Sequence, residues 1–388
     1  MPFATTLRIA RPALAAFAAM GVLWGTFAAV LPDLMVMLDV DESRLGLLIL
    51  FTPIAAVCAM LVAPRMGAAL GNVALPVATL AMGCAFLLPG QAVTLWMFPL
   101  AMLCCGAATG LTDVLMNARV AELEVTRGLP LMNLSHAAYS FGYAGAAVTT
   151  GAMRSAAWSP AWVTGTMACV CIGLALMTWE RDGAIHGLLK PKDGTSGHLG
   201  LLPLIGGGIV LIAFLTENAA ENWSALHIEK TLGGSPNQGA MGPATLALTM
   251  GVARLAGQGF ATKVSPYRLL AGGAVIACIG ALIAASAVTP MTAYAGFIVM
   301  GIGSSVIAPT AFSLVGQLAA PEARARAVAR ATLWGYFGYF FGPPALGFIA
   351  GTFGLRMAFV FAAATLLGVL VLLPVLARTQ QVARREHG

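Results

Sequence analysis

Ser140-Phe141-Gly142-Tyr143 and Tyr336-Phe337-Gly338-Tyr339 stand 196 residues apart, and Gly151 meets Gly347 at the same offset. Each tetrad lies inside a long apolar segment, and each segment is the fifth in a set of six. A three-residue match arises easily by chance. In corresponding segments of two sets of six it marks an internal duplication. Between the sets runs the one long polar stretch, Glu180 to His198, with Lys190-Pro191-Lys192-Asp193-Gly194 at its centre. The division is therefore 1–180, a linker 181–198, and 199–388.

The apolar segments are 12–37, 45–63, 71–90, 93–118, 129–153 and 158–179, then 200–226, 240–261, 267–288, 291–317, 325–351 and 354–377. Each is near the ~20 residues a helix needs to cross a bilayer. Composition agrees. Only 9% of the 388 residues are charged and 59% are hydrophobic, with a mean hydropathy of +0.87. Soluble domains carry about 25% charge, so this chain cannot coat a water-facing surface. The expected fold is all-α, with twelve transmembrane helices in two pseudo-symmetric six-helix bundles, and its partner is the lipid bilayer. The seven cysteines lie in apolar segments without metal spacing and read as small core residues. The net charge of +6 is scattered between apolar runs and is no nucleic-acid signal.

Basic residues set the orientation. With the N-terminus inside, Arg44, Arg154, Lys230 and Arg356 fall outside and Arg254 lies within a span. The other 16 of the 21 Lys and Arg fall inside. Both termini are expected in the cytoplasm, at a bacterial inner membrane. Two similar halves joined by a cytoplasmic linker imply alternating access around a site between them.

The 6 + 6 layout, the linker and the repeat together resemble the major facilitator superfamily. Thr112-Asp113-Val114-Leu115-Met116-Asn117 and Asn133-Leu134-Ser135-His136 resemble its fucose–proton symporter branch, and Glu221-Asn222-Trp223-Ser224-Ala225-Leu226 resembles related uncharacterised bacterial members. The likeness implies a transporter. It has departures: the loop Ala63-Pro64-Arg65-Met66-Gly67 lacks the acid of the superfamily's Gly-rich motif, as does Gly257 to Lys263. No Pro occurs in 142–151, which disfavours a drug–proton antiporter.

An ionisable residue at the centre of a membrane helix costs about 2.5–3.5 kcal/mol on insertion scales, so each needs a reason. Asp113 lies about 9 Å along the helix from Arg119 at ~1.5 Å per residue. It is either a proton carrier and gate or a structural pair near the inner interface. Asn117, one turn on, either shares its ligand or satisfies the helix end. Glu217 and Glu221 stand four apart on one helical face. Two carboxylates so close in low dielectric cannot both be charged cheaply, and one should hold a proton. Glu217 falls in the outer third and Glu221 near the outer interface, where it is either functional or a solvated helix end. Asn218 continues the stripe. Trp223 is either an interface anchor or a wall of the site. Asp33 reads as an acid of the outer mouth.

Arg254 lies at a depth close to that of Asp113, in the opposite half. It pairs with Asp113 across an inner gate when the carrier faces outward, or it binds groups of its own half. His136 either titrates or serves as a structural hydrogen-bonder. Tyr139 and Tyr143 follow it, and Trp334, Tyr336 and Tyr339 occupy the repeat-related part of the other half. These aromatics either line a substrate cavity or pack the core.

The leading function is proton-coupled uptake of a small organic solute by symport, with protons as the co-substrate and no cofactor beyond the proton gradient. The alternative is a proton-coupled exporter of amphipathic compounds. A non-transporting sensor is remote. An enzyme is not expected, because no nucleophile–base pair or metal spacing occurs within the spans. The carrier is expected to act as a monomer.

Overall fold

The computed structural model describes residues 3–129, 131–186, 188, 199–261, 264–319 and 323–386. Most of the expected linker 181–198 lies outside the described residues, as does Lys263.

The first half comprises α1 (Phe3–Leu38), α2 (Glu42–Ile49), α3 (Phe51–Leu70), α4 (Ala74–Ala85), α5 (Met97–Arg127), α6 (Met132–Ser155) and α7 (Pro160–Met177). The second comprises α8 (Leu202–Leu226), α9 (Pro236–Ala261), α10 (Pro266–Ser286), α11 (Pro290–Leu318), α12 (Arg324–Phe353) and α13 (Leu355–Glu386). α2 and α3 form one pass, broken at Leu50, so each half makes six. With an even number of passes, the start of α1 and the end of α13 lie at one face of the bundle, here the termini face; the other is the far face.

Two spans run further than their hydropathy indicates. The apolar reading of α5 stops at 118, before Arg119. The helix continues to Arg127 because Glu122, Glu124 and Arg127 are good helix formers. It ends at Gly128, whose left-handed φ of 66° lets its N–H reach Glu124 O at 2.9 Å. Glu124 Oε1 then accepts from Leu131 N at 2.6 Å and Met132 N at 2.8 Å, which caps the start of α6. α8 passes beyond Leu226 into a π-helical turn, His227–Thr231, closed by Leu232 N to His227 O at 3.2 Å.

The repeat has a packing cause. Gly142 brings α6 against the Ala18 carbonyl of α1, and Gly338 brings α12 against the Leu211 carbonyl of α8. These are equivalent helix pairs, one in each half, and both need a residue without Cβ. Among the described residues, eight segments are long and apolar enough to cross a membrane; one, Glu42–Gln91, contains two passes. α6, α9 and α12 are not among them. α6 packs on α9 and α12 packs on α2, across the boundary between halves. A helix that faces another helix need not be apolar all round. Trp96, Trp158 and Trp162 are exposed towards the far face and Trp179 towards the termini face, which are positions of membrane-interface belts.

Candidate functional site

One group of polar side chains gathers at mid-depth, between the halves. On α5, Asn117 Nδ2 donates to the Asp113 carbonyl at 2.8 Å and to Asp113 Oδ1 at 3.1 Å. The other carboxylate oxygen, Oδ2, accepts from Tyr336 Oη of α12 at 3.2 Å. Asp113 therefore joins the halves through a tyrosine. Arg254 stays within its own half: its Nη2 lies 3.8 Å from Glu217 Oε1 and its Nε 3.5 Å from the Ser305 carbonyl. In this conformation the pair between Asp113 and Arg254 is not made.

α8 contributes Glu217, Asn218 and Glu221. Glu217 and Asn218 are buried, and Oε1 of the former and Oδ1 of the latter have no hydrogen-bond partner in the protein. Such atoms cost free energy unless something else satisfies them. Glu221 is not near a helix end. The π-turn carries the helix ten residues past it, so Glu221 sits inside the membrane, within electrostatic reach of Tyr139, Tyr143 and Tyr339. The hydropathy window closed at Leu226 because His227, Glu229 and Lys230 are polar, and polarity does not stop a helix.

The aromatics divide by helical face. Tyr336 and Tyr339 lie 6.0 Å apart, and Tyr339 stacks on Phe214 with centroids at 4.6 Å. Tyr139 and Tyr143, also 6.0 Å apart, face them from α6. Tyr139 feels Glu221, Glu217, Arg254 and Asp113 together, which places it at the centre. The Tyr143 hydroxyl is buried without a partner. Trp334 is not in this group. It sits on the opposite face of α12, 43% exposed and packed on Phe337, because two residues turn an α-helix by about 200°. His136 is half-buried, edge-on to Phe17 at 5.1 Å, within reach of Arg254. Trp223 is fully buried against α12 near Gly347, with its Nε1 unpartnered. Neither an interface anchor nor part of the tyrosine group, it lies towards the far face.

Two buried arginines read from sequence as loop charges belong to the interior. Arg119 holds Glu180 through Nη2 at 2.8 Å and Nε at 3.2 Å, Glu122 at 2.8 Å and the Asp182 carbonyl at 3.1 Å. It ties the start of the linker to α5. Arg154, near the far end of α6, is held between two carboxylates. Asp33 of α1 accepts at 2.8 and 2.6 Å, Glu229 of the π-turn accepts at 2.7 and 2.9 Å, and the Ala29 carbonyl accepts at 2.8 Å. Next in sequence to Glu229, Lys230 Nζ reaches Glu42 of α2 at 2.7 Å. Ser43 Oγ donates to the Gly347 carbonyl at 3.4 Å. Glu229, Lys230 and Gly347 are in the second half; Arg154, Glu42 and Ser43 are in the first. The far face is thus closed by bonds that cross the boundary. Glu229 carried no sequence signal beyond its charge, since nothing in a linear pattern places it beside Arg154.

A sequence profile described as Major Facilitator Superfamily matches residues 205–387. An uncharacterised MFS-type transporter of Yersinia pestis is 30% identical over 365 residues, covering 91% of this chain and 92% of the relative. An uncharacterised transporter of Sinorhizobium fredii is 28% identical, covering 93% and 96%. Among solved structures, the nucleoside transporter NupG gives a TM-score of 0.73 at 14% identity, over 96% of this chain and 98% of that one. A D-xylose–proton symporter gives 0.73 at 14% identity, over 95% and 97%. At that identity the structural likeness carries the fold alone.

Proposed function

The chain belongs to the major facilitator superfamily, and from that premise we propose that it is a proton-coupled symporter of a small organic solute, working by alternating access. One observation carries the reading. Asp113 of one half, embedded at mid-depth, is hydrogen-bonded to Tyr336 of the other. A carboxylate accepts hydrogen bonds when ionised and donates one when protonated. A proton arriving there changes both the charge and the bond that joins the halves, which is what coupling requires.

In this scheme Glu217 and Glu221, four residues apart, are the second proton-holding group. Tyr139, Tyr143, Tyr336 and Tyr339 wall the substrate cavity, with Asn117, Asn218 and His136 as polar contacts. Arg254 neutralises Glu217 now and is free to turn to Asp113 when the carrier faces outward. The resemblance of the Asp113–Asn117 and Asn133–His136 stretches to the fucose–proton branch supports symport. The basic-residue asymmetry supports termini in the cytoplasm of a bacterial inner membrane and a far face directed outward. A proton moving down 100 mV contributes about 2.3 kcal/mol, so accumulation needs no other cofactor.

The test starts with a thermal-stabilisation screen of purified protein against sugars, carboxylates and vitamins. The stabilising solute is then added to inside-out-free, sealed proteoliposomes. Symport predicts alkalinisation of the outside medium as solute enters. Acidification refutes symport in favour of antiport, and solute movement without any pH change refutes proton coupling.

A further inference from the structure

We propose that Arg154 is the switching contact of the far-face gate, shared between Asp33 and Glu229 when that face is closed and left to Asp33 alone when it opens. The proposal rests on the alternating-access reading.

The chemistry of the site separates the two acids. Arg154 is 6% exposed, and each carboxylate takes a two-pronged share of its guanidinium. Asp33 and the Ala29 carbonyl lie on α1, the helix packed against α6 in the same half. They travel with Arg154 in any rigid-body motion. Glu229 lies in the other half and leaves. A buried ion pair that loses one partner normally strands a charge. Here Asp33 remains, so opening leaves Arg154 neutralised. Arg119 also holds two acids, but both lie in its own half; those of Arg154 divide between the halves, which is what a reversible contact needs.

The π-turn is the jaw of this latch. Its wide coil lets neighbouring residues of opposite sign, Glu229 and Lys230, reach different partners, Arg154 on α6 and Glu42 on α2. π-turns often mark functional sites. The fit around it is close. Gly239 of α9 lies against the Glu229 carboxyl and leaves no room for a side chain. Gly151 meets Ala240 of α9, and Gly347 meets Gly46 of α2. These repeat-related glycines form equivalent contacts across the boundary on either side of the latch. A cavity of about 340 Å³, lined by Asp33, Asp39, Glu229 and Lys230 among others, adjoins it and gives the released Glu229 access to water.

Removing one carboxylate or the other should therefore act in opposite directions. Glu229→Gln weakens the latch and opens the far face. Asp33→Asn removes the partner that stays, so Arg154 holds to Glu229 and the face stays shut. The experiment places spin labels at Val93 and Val288, exposed far-face positions of the two halves, in a background without native cysteines, and measures their distance distribution by pulsed electron resonance in nanodiscs. Expected is a rise of about fivefold or more in the open-to-closed ratio for Glu229→Gln, the low end of typical coupling between sites, and a fall for Asp33→Asn. Glu42→Lys should also open the face, and Glu42→Lys with Lys230→Glu should close it again; this pair tests the same jaw if a variant at Glu229 does not fold. Two distances in the unaltered protein whose ratio neither acid variant moves, or moves in the same direction, overturn the latch and leave alternating access standing. A single distance in every sample overturns both.

Discussion

Replacing Gly338 by alanine should destabilise the carrier, although alanine is the better helix former. The two effects oppose each other and the structure decides between them. In a helix interior alanine gains about 1 kcal/mol over glycine. At Gly338 the added Cβ would fall on the Leu211 carbonyl oxygen, with Leu215 N at 2.9 Å and Phe214 Cβ at 3.0 Å. Ordinary carbon–oxygen approach is about 3.3–3.6 Å. Two of these three neighbours are backbone of α8 and cannot rotate away, so the helices must part. Overpacking of this kind costs about 1–3 kcal/mol, and an immovable neighbour puts it at the upper end. The net is a loss of about 2 kcal/mol. At Gly145 of α6 an added Cβ meets nothing within 4 Å, so Gly145→Ala keeps only the gain of up to about 1 kcal/mol. The same chemical change should thus move the unfolding midpoint of the detergent-solubilised protein down at 338 and up, or not at all, at 145. Gly142→Ala, the repeat-related position, should follow Gly338→Ala, since its Cβ would stand 2.6 Å from the Ala18 carbonyl oxygen. Gly338→Ala unfolding at or above the parent temperature would refute the claim that the repeat exists to bring helices together.

Further outcomes are expected. Tyr336→Phe and Asp113→Asn should each slow proton-driven uptake, and the double variant should lose less than the two losses added. The shortfall should be about 1.5 kcal/mol, the low end for a hydrogen bond to a charged group, because the bond is long; additive losses would show that the two side chains act independently. Arg119→Gln should destabilise the protein by about 3 kcal/mol, the lower bound for breaking a buried ion pair, since Glu180 keeps some contact with water; chemical unfolding measures it, and a change below 1 kcal/mol would make the contact ornamental. A reporter enzyme active only in the cytoplasm, fused after residue 388, should be active; the reverse would invert the proposed orientation.

Much of the architecture could be read from the linear chain because lipid imposes a simple rule. Each pass must be a helix of sufficient length, and each leaves an apolar run. All twelve runs correspond to passes. The errors fall where that rule ceases to apply. Arg119 and Arg154 interrupt hydropathy without interrupting the helix, so composition alone puts them in loops and ends the span of α5 at 118. His227, Glu229 and Lys230 likewise end the apolar run of α8 at Leu226 and make Glu221 look close to the surface. Trp334 and Tyr336 are neighbours in sequence, while the helical turn sends them to opposite faces. The clustering of Asp113, Glu217, Arg254 and the four tyrosines could be anticipated in kind, since a charge kept inside a membrane needs a partner.

The sequence by itself determined the number of passes, the duplication and the set of side chains too polar to face lipid, because each depends on composition along a single helix. Only the tertiary structure decided the pairing: Asp113 with Tyr336 rather than Arg254, and Arg154 between Asp33 and Glu229. Those pairs join residues 75 to 223 positions apart. Which of several opposite charges or donors a buried group meets is set by how the two bundles rotate against each other, and no local pattern in the chain encodes that angle.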